Sequence, residues 1–279
     1  MSRYIPQKIS PNPSLPSGPG AAPEGLLPRR EALWAGGQRG EFLPFVKGGK
    51  EGFILQCLHN YGLTYDEERN TEMNQSRNVA ILIFDEVEVL DFCGPFEVFS
   101  VTGRQDNLNP FNVYTVAEKG QPILARNHLS VNPHFTIQDC PQPDILLVPG
   151  GLGTRKEIHN SILIDWIRNS SQKAELILSV CTGSLLLAKA GLLEGLAATT
   201  HHGAIELLKK VAPHTTIETN KRIIDNGRII VSAGISAGID MSLYVVAKLL
   251  GKEQALDTAQ YMEYDWNVDP DRILLTERS

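Results

Sequence analysis

The chain has few cysteines, no long apolar stretch and no run of basic residues, and each absence excludes a class of protein. Its four cysteines form no C-x-x-C pair and have no histidine at metal-ligand spacing, which argues against a disulfide framework or a zinc site. The longest apolar stretches are shorter than the roughly 18 residues that a membrane span needs. Basic and acidic residues are interspersed and the net charge is -6, so we expect no nucleic-acid partner.

The N-terminal part of the chain lacks both an apolar signal segment and a periodic pattern. We expect a cytoplasmic protein, because the first residues contain no apolar core of the kind that directs secretion. The first fifty residues hold eight Pro and eight Gly, which predicts disorder. Since an apolar strand follows Met73 within six residues, our hypothesis is that residues 1–72 are a disordered or non-native leader and residues 73–279 the working domain.

The rest of the chain has enough apolar residues for a substantial core, since they make up 42% of the whole sequence. From Val79 onward, short apolar runs alternate with helical patterns. Strands are predicted at residues 79–84, 111–117, 144–148, 175–180 and 197–200, with a hairpin that turns at Asn226-Gly227. Helices are predicted at residues 95–101, 156–170, 184–193, 204–210 and 237–250. This alternation is typical of an α/β domain with a doubly wound, mostly parallel sheet sandwiched by helices.

Cys181 is the main candidate for a functional residue. It ends the apolar run AELILSV and is followed by Thr182-Gly183 and a predicted helix, which is the pattern of a nucleophile elbow. In a parallel sheet, ligands bind at the carboxyl ends of the strands, where this residue is expected. We expect the helix N-terminus to lower the pKa of the thiol and so to favour the reactive thiolate. The alternative is a small buried residue without a chemical role.

Three further candidates are predicted at the same edge of the sheet. Gly151 lies in a Pro-Gly-Gly turn after a strand, and its N–H with that of Thr182 is a candidate oxyanion hole. Asp91 lies between the first strand and the first helix and is a candidate proton carrier, or else the N-terminal cap of that helix. His201 ends a strand and is a candidate base toward the thiol, or else a surface residue.

Four segments, in this order and spacing, resemble the ThiJ/PfpI superfamily. They are VAILIFDEVEVLDFCGPFEVFS, DILLVPGGLGT, ILSVCTGSLLLAKAGLLEGLAATTHH and IIVSAGISAGIDMSLYVVAKLLG, and the resemblance covers about residues 77–266. It implies a flavodoxin-like, class I glutamine amidotransferase-like fold and a homodimer. Within the superfamily, the chain looks like the isonitrile hydratase branch and like the ligand-binding domains that some transcription regulators share with it.

The resemblance also implies roles for individual residues. Cys181 matches the family's nucleophile, Asp91 matches its acidic partner in an L-D-x-x-G-P segment, and Thr182 matches the residue after the nucleophile. The hydratase branch implies that water is added to a small-molecule isonitrile to give an N-substituted formamide, with no metal or organic cofactor. His202 stands where isonitrile hydratases commonly have Trp, so the wall of the pocket is changed.

Two alternatives to a hydratase stay open. One is a non-catalytic ligand sensor or transcription regulator of the same fold, although the about thirty residues after Leu250 are too few for an added helix-turn-helix domain. The other is a stress-response protein in which Cys181 senses oxidants or repairs carbonyl-damaged groups.

Overall fold

Eight strands form one central sheet in the computed structural model, which describes residues 76–276. In chain order the strands are β1 (Arg77–Leu82), β2 (Phe111–Ala117), β3 (Ile123–Leu124), β4 (Ser130–Val131), β5 (Phe135–Thr136), β6 (Ile145–Val148), β7 (Leu176–Val180), β8 (Ala197–Ala198), β9 (Thr216–Ile217), β10 (Ile223–Asp225), β11 (Ile229–Ser232) and β12 (Ile273–Leu275). Two small sheets pair β3 with β4 and β8 with β9. The predictions for residues 1–72 lie outside the described residues.

The central sheet has the order β12-β10-β11-β7-β6-β1-β2-β5. All of its pairings are parallel except that of β10 with β11. Because β1 lies between β2 and β6, the chain winds outward from it in both directions. This confirms the predicted doubly wound, flavodoxin-like sheet, in which ligands bind beyond the carboxyl ends of the central strands.

Helices cover the sheet in two groups. They are α1 (Val89–Val101), α2 (Thr154–Glu157), α3 (Ser161–Lys173), α4 (Gly183–Lys189), α5 (Ile205–Val211), α6 (Ala237–Leu250) and α7 (Lys252–Tyr261), with 3-10 turns at Arg104–Asp106, Arg126–His128, His202–Ala204 and Pro270–Arg272. Helices α1, α6 and α7 pack on one another, and α4 packs on α2, α3 and α5. Among residues 76–276, no helix is long and apolar enough to cross a bilayer.

The central strands are buried because their side chains are almost all apolar. The sequences of β6 (ILLV) and β7 (LILSV) are buried at every position. A strand that is covered by helices on both faces needs such a continuous apolar run. The same runs therefore place the loops that follow β6 and β7 next to each other at one edge of the sheet.

Helix α1 begins at Val89, well before the predicted start at Pro95. The chain ahead of the helix is fixed by a hydrogen bond of 3.0 Å from the N–H of Glu88 to the carbonyl oxygen of Gly150. Pro95 then lies inside the helix, where its missing N–H disrupts the hydrogen-bond ladder. Close packing of α1 against α6 compensates for the lost hydrogen bond. The two helices are so close that a Cβ built on Gly94 would lie only 2.8 Å from Cγ1 of Ile239 in α6.

Two other elements differ from the sequence predictions. The helix predicted at residues 156–170 is two helices, because the side chain of Asn160 accepts a hydrogen bond of 3.3 Å from the N–H of Leu163 and starts α3. The predicted hairpin joins β10 and β11, but at its turn only Gly227 has a positive φ, of 84°. The side-chain amide of Asn226 instead bonds to the backbone of Ala197.

Candidate active site

Cys181 lies where β7 turns into α4, at the predicted elbow. Its φ of 58° is in the left-handed region, which residues other than glycine rarely adopt. The N–H of Cys181 lies 3.2 Å from the carbonyl oxygens of both Ser232 and Ala233, at the end of β11. The residue is only 5% exposed. The backbone therefore holds the thiol in one place, almost out of contact with solvent.

Asp91 lies in the first turn of α1 and is fully buried beside the thiol. Its Oδ2 accepts the N–H of Gly150 at 3.0 Å, and its carboxylate also hydrogen-bonds with Cys181. Within the described residues, Oδ1 is buried without a hydrogen-bond partner. The alternative that Asp91 caps the helix is wrong, because Glu88 occupies the N-cap position.

Burial raises the pKa values of both members of this pair. The pKa of Asp91 rises from 3.8 to about 7, because loss of solvent outweighs the hydrogen bonds from Gly150 and Cys181. The pKa of the Cys181 thiol is also raised, first by burial and then by the nearby carboxylate, against the opposing hydrogen bonds of Thr182. The expected lowering of this thiol pKa is therefore wrong, because burial outweighs the helix N-terminus. Between pH 7 and the raised pKa of the thiol, the pair therefore carries one proton, which is on the sulfur.

Thr182 joins the elbow to the Pro-Gly-Gly turn. Its backbone N–H hydrogen-bonds to the sulfur of Cys181. Its Oγ1 accepts the N–H of Gly151 at 2.9 Å and lies 3.1 Å from the carbonyl oxygen of the same residue. One of the two predicted oxyanion-hole donors, the Gly151 N–H, is therefore wrong, because it already binds Oγ1 of Thr182. The other, the Thr182 N–H, lies beside the thiol.

Two residues that the sequence analysis did not single out complete this arrangement. Thr154 is fully buried, and its Oγ1 lies 2.8 Å from the Gly151 carbonyl oxygen and 3.2 Å from Oγ1 of Thr182. Nη1 of Arg155 donates to that carbonyl at 2.9 Å and to Oγ1 of Thr154 at 3.1 Å. Their position just after the Pro-Gly-Gly turn was the only signal in the sequence.

His201 lies beside the thiol. A Cβ built on Gly234 would lie 2.6 Å from Cδ2 of His201 and 3.0 Å from Sγ of Cys181, so ring and sulfur flank the same point. Nδ1 accepts the N–H of Gly203 at 3.1 Å, so the neutral ring carries its proton on Nε2. Burial, followed by the charges of His202 and Arg155, lowers the pKa of His201 and keeps it neutral. The ring is then a hydrogen-bond donor and not the predicted base.

The other described cysteines have no such surroundings. Cys93 and Cys140 are half-buried, and burial raises the pKa of each. Neither comes directly after the last residue of a strand, as Cys181 does. Within residues 76–276, no three His, Cys, Asp or Glu side chains are grouped closely enough to hold a metal ion. The pair of Cys181 and Asp91 is thus the chemical centre of this edge.

Replacing Gly150 by alanine is expected to destabilise the fold by about 1–3 kcal/mol, because the added methyl group has no room. A Cβ there would lie 2.4 Å from the backbone nitrogen of Thr182 and 2.9 Å from Oδ2 of Asp91. Thermal unfolding followed by circular dichroism would show a lowered Tm. Gly120→Ala is the control, since its nearest contact would be an ordinary 3.7 Å to Cγ2 of Thr136. Equal Tm values for the two variants would show that the turn is not packed as described.

Comparisons with known proteins agree with this geometry. Residues 77–248 match the sequence profile of the DJ-1/PfpI family. An isonitrile hydratase of Pseudomonas putida is 33% identical over 192 residues, which are 69% of this chain and 78% of the hydratase. The crystal structure of a THiJ/PfpI family protein from Pseudomonas syringae superposes with a TM-score of 0.63 at 28% identity, covering 76% of this chain and 86% of that protein.

A second kind of relative is a transcription regulator. The HTH-type transcriptional regulator CdhR of Pseudomonas aeruginosa is 28% identical over 185 residues, which are 66% of this chain. The match covers 54% of the regulator, so the chain spans about half of its length.

Proposed function

The chain belongs to the DJ-1/PfpI family, and on that premise we propose that it is a cysteine-dependent isonitrile hydratase. The observation that carries the proposal is the buried pair of Cys181 and Asp91, which sets a thiol beside a carboxyl group with a pKa of about 7. The substrate is a small isonitrile and the product is an N-substituted formamide. The reaction needs a nucleophile, a proton carrier and water, and we assign the first two roles to Cys181 and Asp91.

The first step forms a carbon–sulfur bond. Asp91 takes the proton of the Cys181 thiol, and the resulting thiolate attacks the terminal carbon of the isonitrile. Asp91 returns the same proton to that carbon, which gives a thioimidate bound to the enzyme through sulfur. A carboxyl group with a pKa of about 7 suits this exchange, because it accepts and releases a proton near neutral pH.

The second step breaks the carbon–sulfur bond. The Asp91 carboxylate takes a proton from water while the hydroxide adds to the thioimidate carbon, and Asp91 then passes that proton to the substrate nitrogen. The tetrahedral intermediate then collapses to the formamide and expels the Cys181 thiolate. The proton of the added hydroxyl group passes through Asp91 to the sulfur. The Thr182 N–H and the neutral His201 ring lie beside the sulfur, and we assign to them the stabilisation of the negative charge that develops there.

The proposal is tested by mixing the purified protein with a simple alkyl isonitrile. Quenched-flow mass spectrometry should show a mass increase equal to one isonitrile on the peptide that contains Cys181, followed by release of the formamide. Parallel reactions with methylglyoxal and with peroxide test the carbonyl-repair and redox alternatives. If several isonitriles give no adduct while the thiol is fully titratable, the hydratase proposal fails, and a ligand-sensing or repair function replaces it.

A further inference from the structure

Residues 233–236 connect β11 to α6 and form one wall of the site, and we call them the β11–α6 segment. Gly234 in this segment is packed so closely that a Cβ on it would lie 2.6 Å from Cδ2 of His201 and 3.0 Å from Sγ of Cys181. The carbonyl oxygen of Ala233 also accepts the N–H of Cys181 at 3.2 Å. The position of this segment therefore decides how tightly the sulfur is covered.

Arg222, just before β10, is hydrogen-bonded to both ends of the β11–α6 segment. Its backbone carbonyl oxygen accepts the N–H of Ala233 at 2.9 Å, and its Nη2 donates to Oγ of Ser236 at 3.1 Å. Within residues 76–276, the backbone N–H groups of Gly234, Ile235 and Ser236 have no acceptor. The bonds from Arg222 are therefore a large part of what holds the segment.

The guanidinium group of Arg222 is itself fixed by a carboxylate in the first turn of α6. Its Nε donates to Oδ2 of Asp240 at 2.5 Å, and its Nη2 forms an ion pair with the same oxygen. Oδ1 of Asp240 accepts the hydroxyl of Tyr264 at 2.9 Å, so both carboxylate oxygens are bonded. Because Asp240 is buried, separating it from Arg222 would leave an unpaired buried charge, which is costly.

We infer that Arg222 is a positioning residue: held by Asp240, it keeps the β11–α6 segment against Cys181 and so keeps the sulfur covered. The side chain of Arg222 bonds to Ser236 and Asp240 and not to the sulfur, so its effect passes through the segment. Since the thiol is only 5% exposed, a reagent reaches it when the segment moves away. This inference rests on the proposed function only in that Cys181 is the reacting thiol.

The test compares how fast iodoacetamide alkylates Cys181 in the unmodified protein and in Arg222→Met at one fixed pH, read by mass spectrometry of the labelled peptides. Cys140 in the same molecule reports reagent strength and global unfolding. The variant should alkylate Cys181 about tenfold faster relative to Cys140, because the loss of charge-assisted hydrogen bonds makes local opening easier. Arg228→Met is the matched control. This arginine bonds to two backbone carbonyl groups at the opposite end of β11, and its loss should leave the ratio unchanged.

Asp240→Asn separates a movement of the segment from a direct effect of charge. Both Asp240→Asn and Arg222→Met weaken the ion pair, so both should speed the alkylation of Cys181. If the two charges instead acted directly on the pKa of the thiol, removing the positive charge would slow alkylation and removing the negative charge would speed it. An unchanged or lower rate in Arg222→Met would therefore overturn the inference.

A double variant and a conservative variant show whether the ion pair is the cause. Asp240→Asn added to Arg222→Met should cause no further increase, and a second increase that adds in full would contradict the inference. Arg222→Lys keeps the charge but lacks the fork that reaches both Asp240 and Ser236, so it should give a smaller increase. If Arg222→Met folds poorly, an unchanged ratio in Arg222→Lys overturns the inference instead. Because alkylation needs no isonitrile, a failure of the hydratase proposal leaves this result readable.

Discussion

The Cys181→Ser variant is expected to lose isonitrile hydration by about 10⁴-fold or more, the loss typical when a covalent nucleophile is removed. A serine hydroxyl is far less acidic than a thiol, and the buried carboxylate of Asp91 is too weak a base to ionise it. The adduct should therefore disappear together with the formamide. Intact-protein mass spectrometry and product quantification by NMR measure both quantities on the same sample.

Cys140→Ser is the matched control for that experiment. Cys140 is a half-buried thiol whose pKa is also raised by burial, but it lies away from the elbow. The same chemical change there should leave hydration and adduct formation intact. Substantial formamide production by Cys181→Ser, or an adduct that persists in it, would show that another group attacks the substrate.

The Asp91→Asn variant is expected to lose activity by about a hundredfold or more, because an amide neither takes the thiol proton nor returns it to carbon. In the unmodified protein, kcat/KM should rise with pH through about 7, since the ionised carboxylate is the form that accepts the proton. This inflection should be absent from the residual activity of the variant. A variant of full activity with an unchanged pH profile would assign Asp91 a purely structural role.

The same variant should be more stable than the unmodified protein at alkaline pH. The pKa of Asp91 is raised by folding, so the folded state binds more protons than the unfolded state between pH 3.8 and about 7. The contribution of this group to the free energy of unfolding is therefore greatest below pH 3.8 and falls as the pH rises to 7. Above pH 7 its ionisation costs the folded state up to about 4 kcal/mol.

Thermal unfolding at pH 4 and pH 8 separates this electrostatic effect from a change in packing. Asparagine carries no charge, so the Tm of Asp91→Asn should exceed that of the unmodified protein at pH 8, and the difference should shrink toward pH 4. A Tm difference that does not depend on pH would contradict the raised pKa. The combination of lost activity and gained stability is expected of a residue that serves catalysis at a cost in stability.

The sequence predicts the centre of the sheet much better than its edges. The apolar runs of β6 and β7 are short and bounded by turn residues, which favours strands that are buried on both faces. The edge strands β5 and β12 contain two and three residues, too few for a recognisable pattern. In the sequence, Pro95 indicates the start of a helix. In the structure, α1 continues on both sides of Pro95, because Gly94 packs closely against Ile239 of α6.

The site shows the same division between local and long-range information. The positions of Cys181 and Asp91 follow from strand ends, since the carboxyl ends of parallel strands lie at one edge. The raised thiol pKa depends on burial by distant elements, and the bonds of Arg155 and Thr154 to Gly151 depend on side-chain direction. The small-molecule substrate and the homodimer stay predictions.

The left-handed backbone of Cys181 lowers the free energy of unfolding, although the thiol at this position is the proposed nucleophile. A non-glycine residue at a φ of 58° costs the folded protein of order 1–3 kcal/mol, and glycine would remove that cost. Redesign that ranks substitutions by backbone strain alone will therefore favour glycine at this position. In any engineering of this chain, position 181 has to be excluded from the search before optimisation begins.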